Sequence, residues 1–454
     1  MSGISQGDKR MKRRELLQGA AAAAALGPWV HTQAQDRYAK YKGQTLVVNY
    51  PAHPHYDQAE KLFAEFTAQT GIKVERDKMQ YLRMKDKQVL EMGKRGNGDY
   101  DVITYVVMWK TEYVAKKLLE PLAPYLNNPA LADPAWDQKD IITAYWENIA
   151  LVGGPKMYLP GPGAQPYGIP FGAETGVLGY RQDLLDKHKL AVPRTYDELL
   201  KACHVMKDKE GIGGLTSRGQ TGHQVTAAWL LHLTPFGGEV FDKNWKAAFN
   251  NPAGVKAAEI LKEIVDTGPA GIPSYGFGEM QNAFLQGQAA FYLDSISVFG
   301  PAQDPAKSKV AGKIGYALHP KGTQFSAQSG GFGMGIPRNA KNKEAAFLFM
   351  QWMTSKQADQ KITLLGGNAN RWSTVNSAEV ARKYPSELPV LREALKICNP
   401  DWRPLIPEWD HISQQILGQA LPDVITGRKP ARQALDAVVK DAEDVLRKGG
   451  WLKA

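Results

Sequence analysis

The sequence predicts an α/β protein of two lobes, each a mainly parallel sheet flanked by helices, joined by crossing segments. Three observations predict it. The chain has 454 residues, and a single hydrophobic core rarely grows past roughly 250–300. Strand-like and helix-like patterns alternate through the first hundred residues, the signature of parallel strands with crossover helices. A Gly/Pro-rich connection from Gly153 to Pro170, holding Pro155, Pro160, Pro162 and Pro166, then interrupts the pattern before a new set of elements begins.

The elements follow in order. Thr45-Leu46-Val47-Val48-Asn49-Tyr50 is an apolar run that Pro51 and Pro54 end, a buried strand. Ala59, Leu62, Phe63 and Phe66 have helical spacing, with Gly71 as the C-cap. Ile72-Lys73-Val74 opens a second strand, a helix covers about Gln80 to Lys94, and Asp101 to Val107 makes a third strand. Ligands of such sheets sit at the carboxyl ends of the strands, which places Tyr50 to His55 and Tyr105 to Trp109 on one rim. Beyond the Gly/Pro-rich connection, Tyr167 to Glu174 and the strand Val177 to Arg181 form the first passage between lobes. Asn251 caps a helix with Pro252 in its first turn and Gly268 at its end. Val255, Ala258, Leu261, Ile264 and Val265 are its apolar face. Glu279 to Gln286 is a helix, and Ala289 to Leu293 a strand ending in Asp294-Ser295. A last helix spans about Ala431 to Arg447, with Leu435, Val438, Val439, Ala442, Val445 and Leu446 as its stripe.

Eleven Trp, 18 Tyr and 14 Phe exclude a disordered chain, and no apolar run past the N-terminus is long enough to span a bilayer. The first 34 residues read as an export signal. Lys9, Arg10, Lys12, Arg13 and Arg14 precede the short apolar stretch Leu16 to Leu26, and Thr32-Gln33-Ala34 has a small-x-small ending. Arg13-Arg14-Glu15-Leu16-Leu17 resembles a twin-arginine signal, although Lys12 and Gln18 depart from the usual pattern. The net charge of +10 falls to +7 without this segment and shows no basic block, so nucleic acid is not an expected partner. Export permits a disulfide between Cys203 and Cys398 without requiring one.

Four stretches in order carry a resemblance. They are Phe63 to Val74; Gly98-Asp99-Tyr100-Asp101-Val102-Ile103 with Leu118-Leu119-Glu120-Pro121-Leu122; Tyr167-Gly168-Ile169-Pro170 with Tyr180 to Leu185 and Pro193 to Leu199; and Phe284 to Phe291. Together they resemble the extracellular solute-binding proteins of bacterial ABC importers, in the carbohydrate-binding group that includes maltose-binding protein. The resemblance implies a two-lobe periplasmic binding protein fold that closes on a ligand. Lobe one would comprise 43–170 and 331–353, and lobe two 171–330 and 354–454. The second crossing would fall at Gly330-Gly331-Phe332 and the third near Met353-Thr354. It also implies a periplasmic monomer that captures a sugar or related polyhydroxy solute and delivers it to a membrane permease with its ATPase, without catalysis, cofactor or metal.

A sugar presents apolar C–H faces and many hydroxyls, so its site needs flat aromatics and planar polar groups. The rim supplies Tyr50, His53, His55, Tyr105 and Trp109. Glu174 lies at the first crossing, where the resemblance places a ligand-facing carboxylate. Asp294 and Ser295 end a second-lobe strand where the family caps its cleft. Gly331 at the second crossing, Arg371, Trp372, Trp402 and Trp409 complete the candidates. Each has a plainer reading: the tryptophans as core, the histidines as turn residues, Arg371 as partner of an acidic neighbour. With aromatic and acidic groups and only Arg371 as cation, the rim favours a neutral solute.

No nucleophile elbow, phosphate-binding Gly-Lys loop or His-Glu-x-x-His occurs, and Gly331-Phe332-Gly333-Met334-Gly335 lacks the third glycine of a dinucleotide loop. Two alternatives stay open. One is a secreted carbohydrate-active enzyme using Glu174 and Asp294 as its carboxylate pair. The other is a binding protein for a polyol, an amine or an organic phosphate.

Overall fold

The structure, a computed structural model, describes residues 37–453; the expected export signal lies outside the described residues. Among the described residues there are eleven strands: β1 (Thr45–Pro51), β2 (Lys73–Met79), β3 (Val102–Val106), β4 (Leu151–Val152), β5 (Gln165–Pro166), β6 (Ile169–Arg181), β7 (Gly213–Thr216), β8 (Ala289–Ser295), β9 (Ile314–Ala317), β10 (Ala327–Gly335) and β11 (Cys398–Asn399). Nine form one sheet in the order β2-β1-β3-β10-β6-β8-β7, with β9 beside β6 and β11 beside β10. β4, just before the Gly/Pro-rich connection, and β5, inside it, make a small separate pair.

The first lobe follows the sequence pattern closely. β1 is parallel to both β2 and β3, because helices connect them. Gly71 ends the helix Phe63–Thr70 in the left-handed region at φ 74°, where a glycine escapes the Cβ clash. Gln80 caps the helix Tyr81–Met92. In the second lobe β7 and β8 are parallel, but β6 runs antiparallel to β8 and β9. This lobe's sheet is therefore mixed rather than mainly parallel, because β6 enters it directly from the first lobe instead of through a helix.

β6 and β10 serve both lobes. β6 is 13 residues long; its first half pairs with β10 and its second half with β8. The register of β6 and β10 shifts between Gly331 and Gly333, a bulge that bends the pair. The helix Pro252–Thr267 is capped by Asn251, whose side chain accepts from the Gly254 N–H. The expected C-terminal helix is two, Ala431–Asp436 and Val439–Lys448. They separate at Ala437-Val438, where successive β-branched valines weaken the helical preference. Cys203 and Cys398 are free thiols. Cys203 belongs to the smaller of the two apolar clusters, in the second lobe, and Cys398 packs against the larger one.

Candidate functional site

A cavity of about 550 Å³, counting its open mouth, lies where the lobes meet. From the first lobe come His53 after β1, Tyr81 after β2 and Val106 at the end of β3. The crossing strands supply Glu174, Gln328, Gly330, Gly331 and Phe332. Arg218 after β7, the helix His223–Leu233 and Phe277 form the opposite wall, and Trp402 and Arg403 close one side. The carboxyl ends of parallel strands thus converge on the cavity from both lobes, as open α/β sheets favour.

The two sides touch above it. Gln224 Nε2 donates to the Tyr81 hydroxyl at 2.7 Å, and the His53 and Phe277 rings stack with centroids 5.8 Å apart. Phe277 also carries the Arg218 guanidinium over its face at 4.9 Å, a cation–π contact.

Four charged groups set the electrostatics. Arg218 grips Asp294 through two bonds, Nε to Oδ2 at 2.8 Å and Nη2 to Oδ1 at 2.5 Å. Burial works against the Arg218 charge, but Asp294 outweighs it and holds the guanidinium above its ordinary range. Glu174 meets His53 across 3.0 Å. Burial alone would raise the Glu174 carboxyl; the hydrogen bond and charge of His53 bring it below its usual value, with Arg218 helping. Arg403 differs from these. It is 6 % exposed, its Nε is buried without a partner, and no carboxylate lies within ion-pair distance of it among the described residues. Its guanidinium sits over the Trp402 ring at 4.5 Å. Burial first, then repulsion from Arg218, lowers its pKa to about 9 despite the more distant Glu174.

The sequence-predicted residues divide. His53, Glu174 and Gly331 line the cavity, as does Trp402, whose indole N–H donates to Ser329 O at 2.7 Å. Asp294 and Ser295 stand just behind the wall, buried, with Asp294 orienting Arg218. Six others lie in the interior away from the cavity. Tyr50 packs among Tyr56, Phe63 and Phe171. Tyr105 points to the opposite face of the sheet and donates to Ile149 O, leaving its neighbour Val106 at the cavity. His55 lies edge-on to Phe171 and accepts from the Asn368 N–H. Trp109 and Trp409 are fully buried. Arg371 is held by Thr354 O, Asp137 O and Asp140, the acidic-neighbour reading of that residue. Trp372 lines a separate recess beside Ser329 and Cys398.

Tyr81, Arg218, His223, Phe277, Gln328, Phe332 and Arg403 were not anticipated. Tyr81 had a usable signal, since it opens the helix that follows a rim strand. Arg218 follows a short strand that its own glycines concealed.

Gly331 has a backbone reason to be glycine. Its φ is +90°, and a Cβ there would lie 2.5 Å from Gly172 O and 2.8 Å from Glu174 N. Gly331→Ala is expected to lose about 1–3 kcal/mol from strain at this position, read from the midpoint of urea unfolding; an unchanged midpoint would show that the bulge relaxes freely.

Comparison with known proteins bears on this geometry. Residues 52–360 match the family described as bacterial extracellular solute-binding protein. The chain is 27% identical over 461 residues to a probable amino-acid ABC transporter periplasmic-binding protein of Sinorhizobium fredii, covering 98% of this chain and 100% of that one. It is 26% identical over 378 residues to the mannitol-binding protein of Pseudomonas aeruginosa, covering 78% and 82%. A solved ABC transporter solute-binding protein from Agrobacterium radiobacter, in complex with ribitol, superposes with a TM-score of 0.80 at 29% identity, covering 89% of this chain and 99% of that one.

Proposed function

The chain belongs to the bacterial extracellular solute-binding protein family, and on that premise we propose that its cavity captures a small polyol or sugar for an ABC importer. The observation that carries this reading is the pairing of Glu174 with Arg403. One is acceptor-only when ionised and the other donor-only; both face the cavity, and they are not bonded to each other. A hydroxyl both donates and accepts, so a run of hydroxyls satisfies both groups at once. Phe277, Phe332 and Trp402 offer apolar faces for the solute's C–H edges. The carboxylates of Glu174 and Asp294 also balance the guanidiniums of Arg218 and Arg403, which suits an uncharged solute. The mannitol-binding relative and the ribitol complex support the polyol class.

Capture proceeds by closure. The lobes, 43–170 with 331–353 and 171–330 with 354–454, rotate about β6 and β10. Closing excludes water, which strengthens each bond to the solute, and the solute shifts the lobes toward the closed form. The closed monomer then docks on a membrane permease served by an ATPase, after export directed by residues 1–34.

Titration calorimetry and thermal unfolding with ribitol, D-mannitol and maltose test the reading. Saturable one-to-one binding of a polyol or sugar, with the solute recovered unchanged, is expected. At a hundred times Kd the stabilisation is about 2.7 kcal/mol. Chemical turnover of the solute would overturn it. The Sinorhizobium relative's printed name supports a second reading, since a zwitterionic amino acid could also place its carboxylate on Arg403 and its ammonium on Glu174. Stabilisation by L-amino acids alone would establish that reading instead.

A further inference from the structure

Glu174 is positioned by β6, yet β6 has a strand on only one edge at that point. β10 pairs with Ile169 to Thr175, whereas β8 on the opposite edge first pairs at Gly176. The backbone from Phe171 to Ala173 therefore has an open edge, buried, whose polar groups need partners.

Side chains take the place of the missing strand. The Tyr56 hydroxyl donates to Phe171 O at 2.6 Å. The Ala173 N–H donates to Asn370 Oδ1 at 2.9 Å, and Asn368 Nδ2 donates to Ala173 O at 2.9 Å. Two amide side chains thus clamp one backbone residue from both its donor and its acceptor. The amides are fixed in turn. Asn370 Nδ2 donates to Asp359 Oδ1 at 3.0 Å and to Asn368 O at 2.9 Å, and the Asn370 N–H donates to the same carboxylate at 3.1 Å. Asp359, Asn368 and Asn370 are all buried.

The location gives the clamp its meaning. Ala173 precedes Glu174 and pairs with Gly331 at the bulge. Gly172 and Gly331 both have positive φ, 76° and 90°, so the backbone here is intrinsically free to rotate. The clamping residues lie almost 200 positions away in sequence, on the segment that follows the helices Lys343–Met353 and Lys356–Leu365. The two crossing strands, β6 and β10, and this distant segment therefore meet at Ala173.

We propose that Asn368 and Asn370 are positioning residues for solute binding: by fixing the Ala173 backbone they hold Glu174 at the cavity wall. For the affinity arm this rests on the polyol or sugar reading above; a second arm needs no solute.

Hydrogen exchange of the ligand-free protein reads the clamp directly. In Asn370→Ala the Ala173 amide is expected to exchange faster by about tenfold or more, the scale of one lost buried hydrogen bond, while amides of β1 and β8 keep their protection. The milder Asn368→Ala, which removes only the bond to Ala173 O, should loosen the neighbouring Glu174 amide without global destabilisation. Unchanged exchange at residues 173 and 174 in both variants would overturn the proposal.

The affinity arm is a double-mutant cycle with ribitol or D-mannitol as probe. Asn370→Ala is expected to weaken binding about tenfold in the wild-type background and less than about threefold when Glu174 is already glutamine, because residues acting through one group are not additive. Equal losses in both backgrounds would mean a merely structural role and would also overturn it. If neither probe binds wild type, the polyol reading fails, and the exchange experiment still decides the clamp.

Discussion

Replacing Arg403 by methionine is expected to stabilise the ligand-free protein while nearly abolishing solute binding. The two effects have one cause. Arg403 is almost wholly buried with no carboxylate beside it among the described residues, and its lowered pKa, caused by burial and then by Arg218, expresses the same unfavourable setting. Methionine has similar reach and packs against Trp402 without a charge to desolvate. Exchanging buried charged groups for apolar ones commonly gains about 1–4 kcal/mol, so the urea midpoint of the variant should rise. Affinity should fall about 100-fold, since hydrogen bonds to a charged group contribute about 1.5–3 kcal/mol each. Arg403→Lys separates charge from shape. It keeps the buried cation and loses the planar fork, so it should gain no stability and still bind less tightly. A methionine variant that is less stable than wild type and binds normally would show that Arg403 supports the fold and does not hold the solute.

This opposition between stability and binding is characteristic of a site built to be completed by its ligand. Asp294 has Arg218 and Glu174 has His53; Arg403 is the member left open, and it adjoins the crossing strand closely enough that a Cβ on Gly330 would lie 3.1 Å from its Nη2. A solute bonded there would touch the crossing strand β10 and the segment of Trp402 and Arg403 together.

Local chemistry was legible in the sequence wherever it determines structure locally. Gly71, Asn251 and Pro252 mark helix ends because capping involves residues three or four apart. The rim was legible because strand ends follow from apolar runs, but the individual side chains on it were not. Successive residues of a strand face opposite ways, so an error of one position names Tyr105 where Val106 faces the cavity and takes the core residue Tyr50 for a rim residue. His53 escaped this because it lies in the loop beyond the strand. Partnerships across the chain were least legible of all. Arg371 finds Asp140 231 positions away, and Ala173 finds Asn370 197 positions away; no local pattern encodes either. Counting Arg371 as the rim's cation was reasonable by type, and the fold gives that part to Arg218 and Arg403.

Mild acid should unfold the protein well before its carboxylates titrate. Four histidines are buried as neutral rings: His55, His223, His232 and His319. Burial lowers His55 and His232 to about 3 and His319 to about 4, and takes His223 well below its ordinary value, with Arg403 and Arg218 adding repulsion. Among the described residues no carboxylate contributes to holding these rings protonated. His55 faces His53 and accepts from the Asn368 N–H, so its proton is on an Nε2 that has no partner. His232 meets the Tyr196 hydroxyl and lies near His319, and His223 meets Ser413. A group with a depressed folded pKa favours the folded state fully above its unfolded value, about 6.5 for histidine, and loses that contribution as pH falls toward the folded value. Each ring should therefore withdraw up to about 1.4 kcal/mol per pH unit below 6.5, or about 2 kcal/mol by pH 5. Four together rival the whole stability of an ordinary domain, about 5–15 kcal/mol. The carboxyls held low by cations, such as Glu112 and Asp183, act in the same direction but only below about pH 4.5. Asp359, raised by burial, acts in the opposite direction. Urea midpoints measured from pH 8 to pH 5 should be flat above 7 and fall steeply below 6.5. His232→Leu should remove about a quarter of that slope, because one proton fewer is taken up on unfolding. A midpoint that stays level down to pH 5 would mean that these rings accept protons in the folded protein.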